Sequence, residues 1–93
     1  MKNKVLINVY VPSLDEVYEI YIPINESVNT ILDLICKTIY DLSDSDFNID
    51  ETHYLLDPDT LTIYLKKQLV RETNINNSKK IILIWCLHLF YYI

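Results

Sequence analysis

Asp44, Asp46 and Asn48 stand at alternate positions, the spacing with which a calcium-binding loop opens. Such a loop needs glycine at its sixth position and a bidentate glutamate at its twelfth; here those places hold Ile49 and Leu55. The stretch therefore reads as a solvated acidic loop. His53 and His88 fall on separate predicted strands, with no ligand pattern beside either, and are read as surface or strand-end histidines. Cys36 and Cys86 lack the C-x-x-C spacing of a metal or redox site, and both lie in apolar runs. They read as buried, reduced thiols of a cytoplasmic protein. Serines and threonines are scattered. With no glycine anywhere in the chain, neither a nucleophile elbow nor a phosphate-cradling loop can be built. The expectation is a protein with no catalytic residues, no metal and no cofactor.

Charge narrows the partners. The net charge is −5, with seven carboxylates and no Lys or Arg between residues 41 and 59. Between residues 66 and 80 there are five basic residues and one acid, Glu72. Neutralising phosphates takes clustered Lys and Arg, so nucleic acid is not an expected partner. The two ends read as solvated faces, or together as an electrostatically polarised surface for a protein partner. The opening "MKNKVLINVYVPSLDE" has its apolar run broken by Asn8 and no small-residue cleavage site, so it does not read as a secretory signal. The closing "IILIWCLHLFYYI" is thirteen residues long. A helix across a membrane needs about 20 apolar residues, so no membrane span is expected. The run divides near Cys86: residues 1–86 form one domain, and residues 87–93 are an apolar tail. That tail is expected to extend the last strand or to fold back over exposed sheet; the alternatives are a self-association edge, a partner-docking segment, or a membrane-associating tail on an interaction module of another pathway.

Hydrophobic periodicity supplies the elements. Residues 4–11 alternate as a strand, with Val5, Ile7, Val9 and Val11 on one face and Leu6, Asn8 and Tyr10 on the other. Residues 17–24 alternate again after a short polar loop, which predicts a hairpin, and Pro23 places that strand at a sheet edge. Ser27 reads as an N-cap, followed by Val28, Ile31, Leu32, Ile35, Ile39 and Leu42 in one helical stripe. Short strands are predicted at residues 53–56 and 61–65, joined by the "DPDT" turn. A connection containing one helical turn leads to a last strand from Lys80, with Leu69, Val70 and Ile75 facing inward. Without glycine, turns that need positive φ are expected to use Asn or Asp, the next most tolerant residues. A hairpin, a helix across it and a returning apolar strand make an α+β β-grasp. Its mixed sheet is expected in the order 2-1-5-3-4, with the last strand central and parallel to the first.

This layout resembles ubiquitin, with "VNTILDLICKTI" where ubiquitin-like domains carry their helix. It is similar more closely to the YukD/EsaB-like proteins, small ubiquitin-like proteins associated with type VII (WXG100) secretion in Gram-positive bacteria. The stretches that carry the similarity are "INVYVPSLDEVYEIYIP", "ILDLICKTIYDLSD", "LLDPDT" and "LVRETNINNSKKIILI". The resemblance implies glycines at the turns near Leu61, Asn74 and Ser78, where this chain has none. It also implies a cytoplasmic accessory protein that binds a component of a secretion system, peripheral to the membrane through that partner. Ubiquitin-type conjugation needs a C-terminal Gly-Gly, and this chain ends "LFYYI", so binding without conjugation is expected. On the assumed alternation Leu6, Tyr10, Val17, Tyr21, Ile82 and Ile84 point away from the helix. Leu6, Tyr10, Tyr21, Ile82 and Ile84 are the candidate partner-binding residues, because a large exposed apolar patch usually has a use.

Overall fold

The computed structural model describes residues 3–85; Cys86, His88 and the proposed tail 87–93 lie outside the described residues. The elements run β1 (Lys4–Val11), β2 (Glu16–Pro23), α1 (Val28–Leu42), β3 (His53–Asp57), β4 (Thr62–Ile63) and β5 (Lys79–Trp85). A 3-10 turn at Val70–Glu72 precedes β5. The sheet order is β2-β1-β5-β3-β4. β5 runs parallel to β1, with Ile7 opposite Lys79 and Tyr10 opposite Ile82. It runs antiparallel to β3, with His53 opposite Trp85. The architecture is the expected β-grasp.

Period two in the strands meets period 3.6 in the helix at one apolar layer. Ile7, Val9 and Val11 of β1, Ile20 and Ile22 of β2, Leu55 of β3, and Ile81 and Leu83 of β5 are buried on the inner side. Val28, Ile31, Leu32, Ile35, Cys36 and Ile39 of α1 pack down on them. Each fully buried aliphatic side chain contributes about 1.5–3 kcal/mol. Ser27 caps the helix as predicted, its Oγ accepting the Thr30 N–H at 3.1 Å.

The structure departs from the expected pattern in four places. Leu42 ends the helical stripe but is 59 % exposed. The chain turns at the Ser43 C-cap, and Phe47, whose N–H donates to Ser43 Oγ at 3.2 Å, is buried in the core instead. β4 is two residues rather than five: Leu61, at φ 57, belongs to the turn, and Tyr64 and Leu65 lie past the strand's end. The residues at positive φ are Asp15, Asp44, Ser45, Leu61 and Ser78. Asp15 and Asp44 are of the expected type; Ser45, Leu61 and Ser78 are not, and Asn74 and Asn77 are not among the positive-φ residues. Asn77 Oδ1 accepts the Leu6 N–H at 3.0 Å, and Asn74 Nδ2 donates to Asp57 at 2.7 Å. His53 does stand at a strand end, but it is buried, with its ring 4.7 Å from that of Phe47.

Candidate protein-binding face

Five expected contact residues, Leu6, Tyr10, Tyr21, Ile82 and Ile84, lie at the parity opposite the core residues of their strands. Register then sets one line of side chains across the whole sheet. Val17 of β2 stands opposite Tyr10 of β1, Tyr10 beside Ile82 of β5, Ile82 opposite Leu56 of β3, and Leu56 opposite Ile63 of β4. This apolar row crosses all five strands. Next to it runs a polar row, Glu19, Asn8 and Lys80. Beyond that, Tyr21 stands opposite Leu6. The face is thus banded, apolar then polar then apolar.

Exposure along the bands is uneven. Val17 and Tyr21, on the edge strand, are 59 % and 54 % exposed. Leu6, Tyr10 and Ile82 are half-buried. Ile84 is buried, at 7 % exposure, although it stands outside the core cluster. Tyr54 of β3 stands directly opposite it, and cross-strand neighbours at that spacing shield each other. The exposure that its parity suggests is therefore not there. Val17, more exposed than any of the five, has a place beside Tyr10 in the same band.

Local interactions hold the face in shape. The Tyr10 hydroxyl donates to Asp15 Oδ1 at 3.0 Å. Asp15 reaches it because the hairpin turn carries Asp15 at φ 51, closed by Leu14 N–H to Val11 O and Asp15 N–H to Pro12 O. Lys66 Nζ lies 4.3 Å from the centre of the Tyr54 ring, a cation–π contact. Shallow grooves flank the polar row. Asn8, Tyr10, Val17, Pro58, Lys80 and Ile82 line one; Lys4, Leu6, Tyr21, Asn77 and Ser78 line the other.

Under the β3–β5 end of the sheet sits a buried ionic cluster that periodicity could not reveal. Asp57, 2 % exposed, accepts from Asn74 Nδ2 at 2.7 Å, Lys79 Nζ at 2.9 Å and the Asp59 N–H at 3.0 Å. Lys79 also reaches Asp59 at 2.8 Å, and Tyr64 Oη donates to Asn74 Oδ1 at 2.6 Å. The Asn74 and Lys79 donors hold the Asp57 carboxyl well below the usual carboxylate range, against the opposing effect of burial. Asp59 and then Asp57 raise Lys79. Burial, and after it the Asp57 charge, pushes the Tyr64 phenol up to about 12. Through these bonds the cluster pins the start of β5 to the β3–β4 turn. In the sequence only "DPDT" points toward it, and that stretch by itself specifies a turn.

Among the described residues, neither Cys36 nor the acidic loop is set up for the chemistry its residue types suggest. Cys36 and His53 line a common pocket with Glu51 and Lys66, a pairing the sequence did not suggest. A nucleophilic cysteine needs a lowered pKa. Burial first, then Asp33, pushes the Cys36 thiol up to about 11. Asn48 turns its amide to Glu51 and the Asp50 N–H. Among the described residues no three His, Cys, Asp or Glu side chains converge as a metal site. No helix among them is long and apolar enough to cross a membrane.

Solved structures share this fold. The EccD5 ubiquitin-like domain from Mycobacterium xenopi is similar over 88 % of this chain and 93 % of that one, at 10 % identity and TM-score 0.72. The ubiquitin-like domain of the Mycobacterium tuberculosis type VII secretion system protein EccD1 is similar over 87 % and 97 %, at 8 % identity and TM-score 0.69. The fold is ubiquitin-like. A chain of a toluene 4-monooxygenase complex has it as well, over 88 % of this chain and 98 % of that one, at 10 % identity and TM-score 0.70. The ubiquitin-like fold thus serves both secretion proteins and an enzyme complex, and function must be argued from the surface. No family model and no curated protein sequence matches the chain.

Proposed function

We propose that this ubiquitin-like chain is a non-catalytic adaptor of a type VII-like secretion system, acting by protein binding through its outer sheet face and not by conjugation. The observation that carries the reading is the apolar row Val17, Tyr10, Ile82, Leu56 and Ile63, which crosses every strand on the side away from α1. An apolar band with exposed members at one end and a polar band beside it has the composition of a docking patch: apolar contacts for affinity, charges for register. Similarity to the EccD ubiquitin-like domains supports the secretion context. So does the sequence resemblance to the YukD/EsaB-like proteins. In this reading the protein acts on the cytoplasmic side and meets the membrane only through its partner.

The test is site-specific photo-crosslinking from position 21 in the native host. Tyr21 is exposed on the edge strand, so a photoreactive residue there leaves the core intact. We expect a crosslink to a component of a type VII machine, lost when Ile82 is replaced by Glu while the circular dichroism spectrum is unchanged. A crosslink that survives Ile82→Glu moves the interface off this face. A crosslink only to a second copy of the chain replaces the adaptor reading with self-association.

A further inference from the structure

β2 is an edge strand: β1 flanks it on one side, and among the described residues nothing pairs with it on the other. The phase of its backbone follows from one bond. The Ile24 N–H donates to the Asn3 carbonyl at 2.9 Å. In an antiparallel ladder successive residues alternate between facing the partner and facing away. Counting back from Ile24, the backbone groups of Ile22, Ile20 and Tyr18 face β1. Those of Val17, Glu19 and Tyr21 face the free edge. The side chains of Val17, Glu19 and Tyr21 stand on the outer face at the same time, because side-chain direction also alternates with period two. The open stretch is bounded. Pro23 has no N–H to offer at one end, and at the other the chain turns through Asp15.

We propose that this edge accepts a short extended peptide as an added antiparallel strand, with a basic residue opposite Glu19 and an apolar residue two positions to either side. The proposal rests on the protein-binding reading above and gives the chemistry of one partner segment, at the edge rather than the face. Unpaired N–H and C=O groups on an edge are a template for such pairing, with backbone bonds giving affinity and alternate side chains giving selectivity. Val17 and Tyr21, both exposed, present apolar surface on either side of Glu19. The edge is acidic: Asp15, Glu16 and Glu19 are all exposed. Opposite charges directly across a strand pair stabilise it and like charges oppose it. A second copy fits worse. Antiparallel pairing of two β2 strands centred on Glu19 sets that carboxylate against its own counterpart. Shifting the register by two residues brings Pro23 or the Asp15 turn into the ladder.

Two blocked peptides test this by amide chemical shift and hydrogen exchange: Thr-Val-Thr-Lys-Thr-Val-Thr and its Glu-centred twin. We expect the Lys-centred peptide to bind at least threefold more tightly, a ratio within the range of cross-strand charge pairs. The Val17, Glu19 and Tyr21 amides should gain protection. Glu19→Lys should reverse the preference. Glu19→Pro removes an N–H that faces the open edge, a tolerated place for proline; it should keep the fold and abolish binding. Equal binding of the two peptides, no binding, or shifts confined to residues away from β2 would overturn the proposal. A concentration-dependent dimer that protects the same amides without peptide would overturn it in favour of a second copy. Ile82→Glu lies on β5 and leaves this edge unchanged. A crosslink that survives Ile82→Glu, with Lys-centred peptide binding retained at β2, therefore rejects only the face reading, and a crosslink lost to Ile82→Glu, with no peptide binding, rejects only the edge.

Discussion

Replacing Leu61 with glycine should stabilise the protein, although it removes an apolar side chain. Leu61 is held at φ 57, and its side chain is 77 % exposed. A side chain with a Cβ in the left-handed region costs about 1–2 kcal/mol. Glycine removes that cost but adds about 0.5–1 kcal/mol of conformational entropy lost on folding. Burial hardly enters, since the leucine faces water. The N–H that closes the turn, donated to Asp57 O at 2.8 Å, is kept. The net gain expected is about 0.5–1 kcal/mol. For a domain of this size that raises Tm by about 2–8 °C. Urea unfolding followed by circular dichroism, together with a thermal melt, measures it. Leu61→Ala is the control: it trims the same side chain but keeps the Cβ, and should stay within about 0.5 kcal/mol of the parent. Should the glycine variant prove no more stable than the alanine one, backbone strain at this turn is not what the φ value implies.

Three further outcomes are expected. Ile35→Ala, at a fully buried position under the sheet, should lose about 2–5 kcal/mol in chemical denaturation, whereas Leu42→Ala, at the exposed end of the same stripe, should lose less than about 0.5 kcal/mol. Ser27→Ala removes the acceptor of the Thr30 N–H and should cost about 1 kcal/mol, with Ser27→Asp restoring most of it. Stability should fall at both ends of the pH scale. Asp57 stays ionised in the fold to lower pH than in the unfolded chain, so the unfolded chain takes up the proton first and stability drops as pH falls below about 4. Cys36 and Tyr64 keep their protons to about 11 and about 12, and Lys79 also holds its proton longer than usual. Each contributes stability that is lost as pH rises from the thiol range through those values. Asp57→Asn should flatten the acid limb and leave the Cys36 part of the alkaline limb; an unchanged acid limb would show that other carboxylates set it.

The fold was legible in the sequence because its elements are strongly periodic. Ile7, Val9 and Val11 on one strand, and Ile31, Ile35 and Ile39 on the helix, could be buried together in one way only, and Ser27 marked where the helix begins. Strand order followed from the apolarity of "IILI", since a strand covered on both faces belongs at the centre of a sheet. Which outer-face residues share a band was not legible. Parity is local, but the row Val17, Tyr10, Ile82, Leu56 and Ile63 depends on four registers, each set by packing between segments far apart in the chain. Parity also says nothing of neighbours, and so Ile84 was expected to be exposed and is buried, while Leu42 was expected in the core and Phe47 sits there instead. The Asp57–Lys79 pair is the clearest case. The two residues are 22 positions apart, and each has an ordinary local reading, a turn aspartate and a strand-end lysine. Only the crossing of β3 beside β5 brings them together, where burial makes their pairing obligatory.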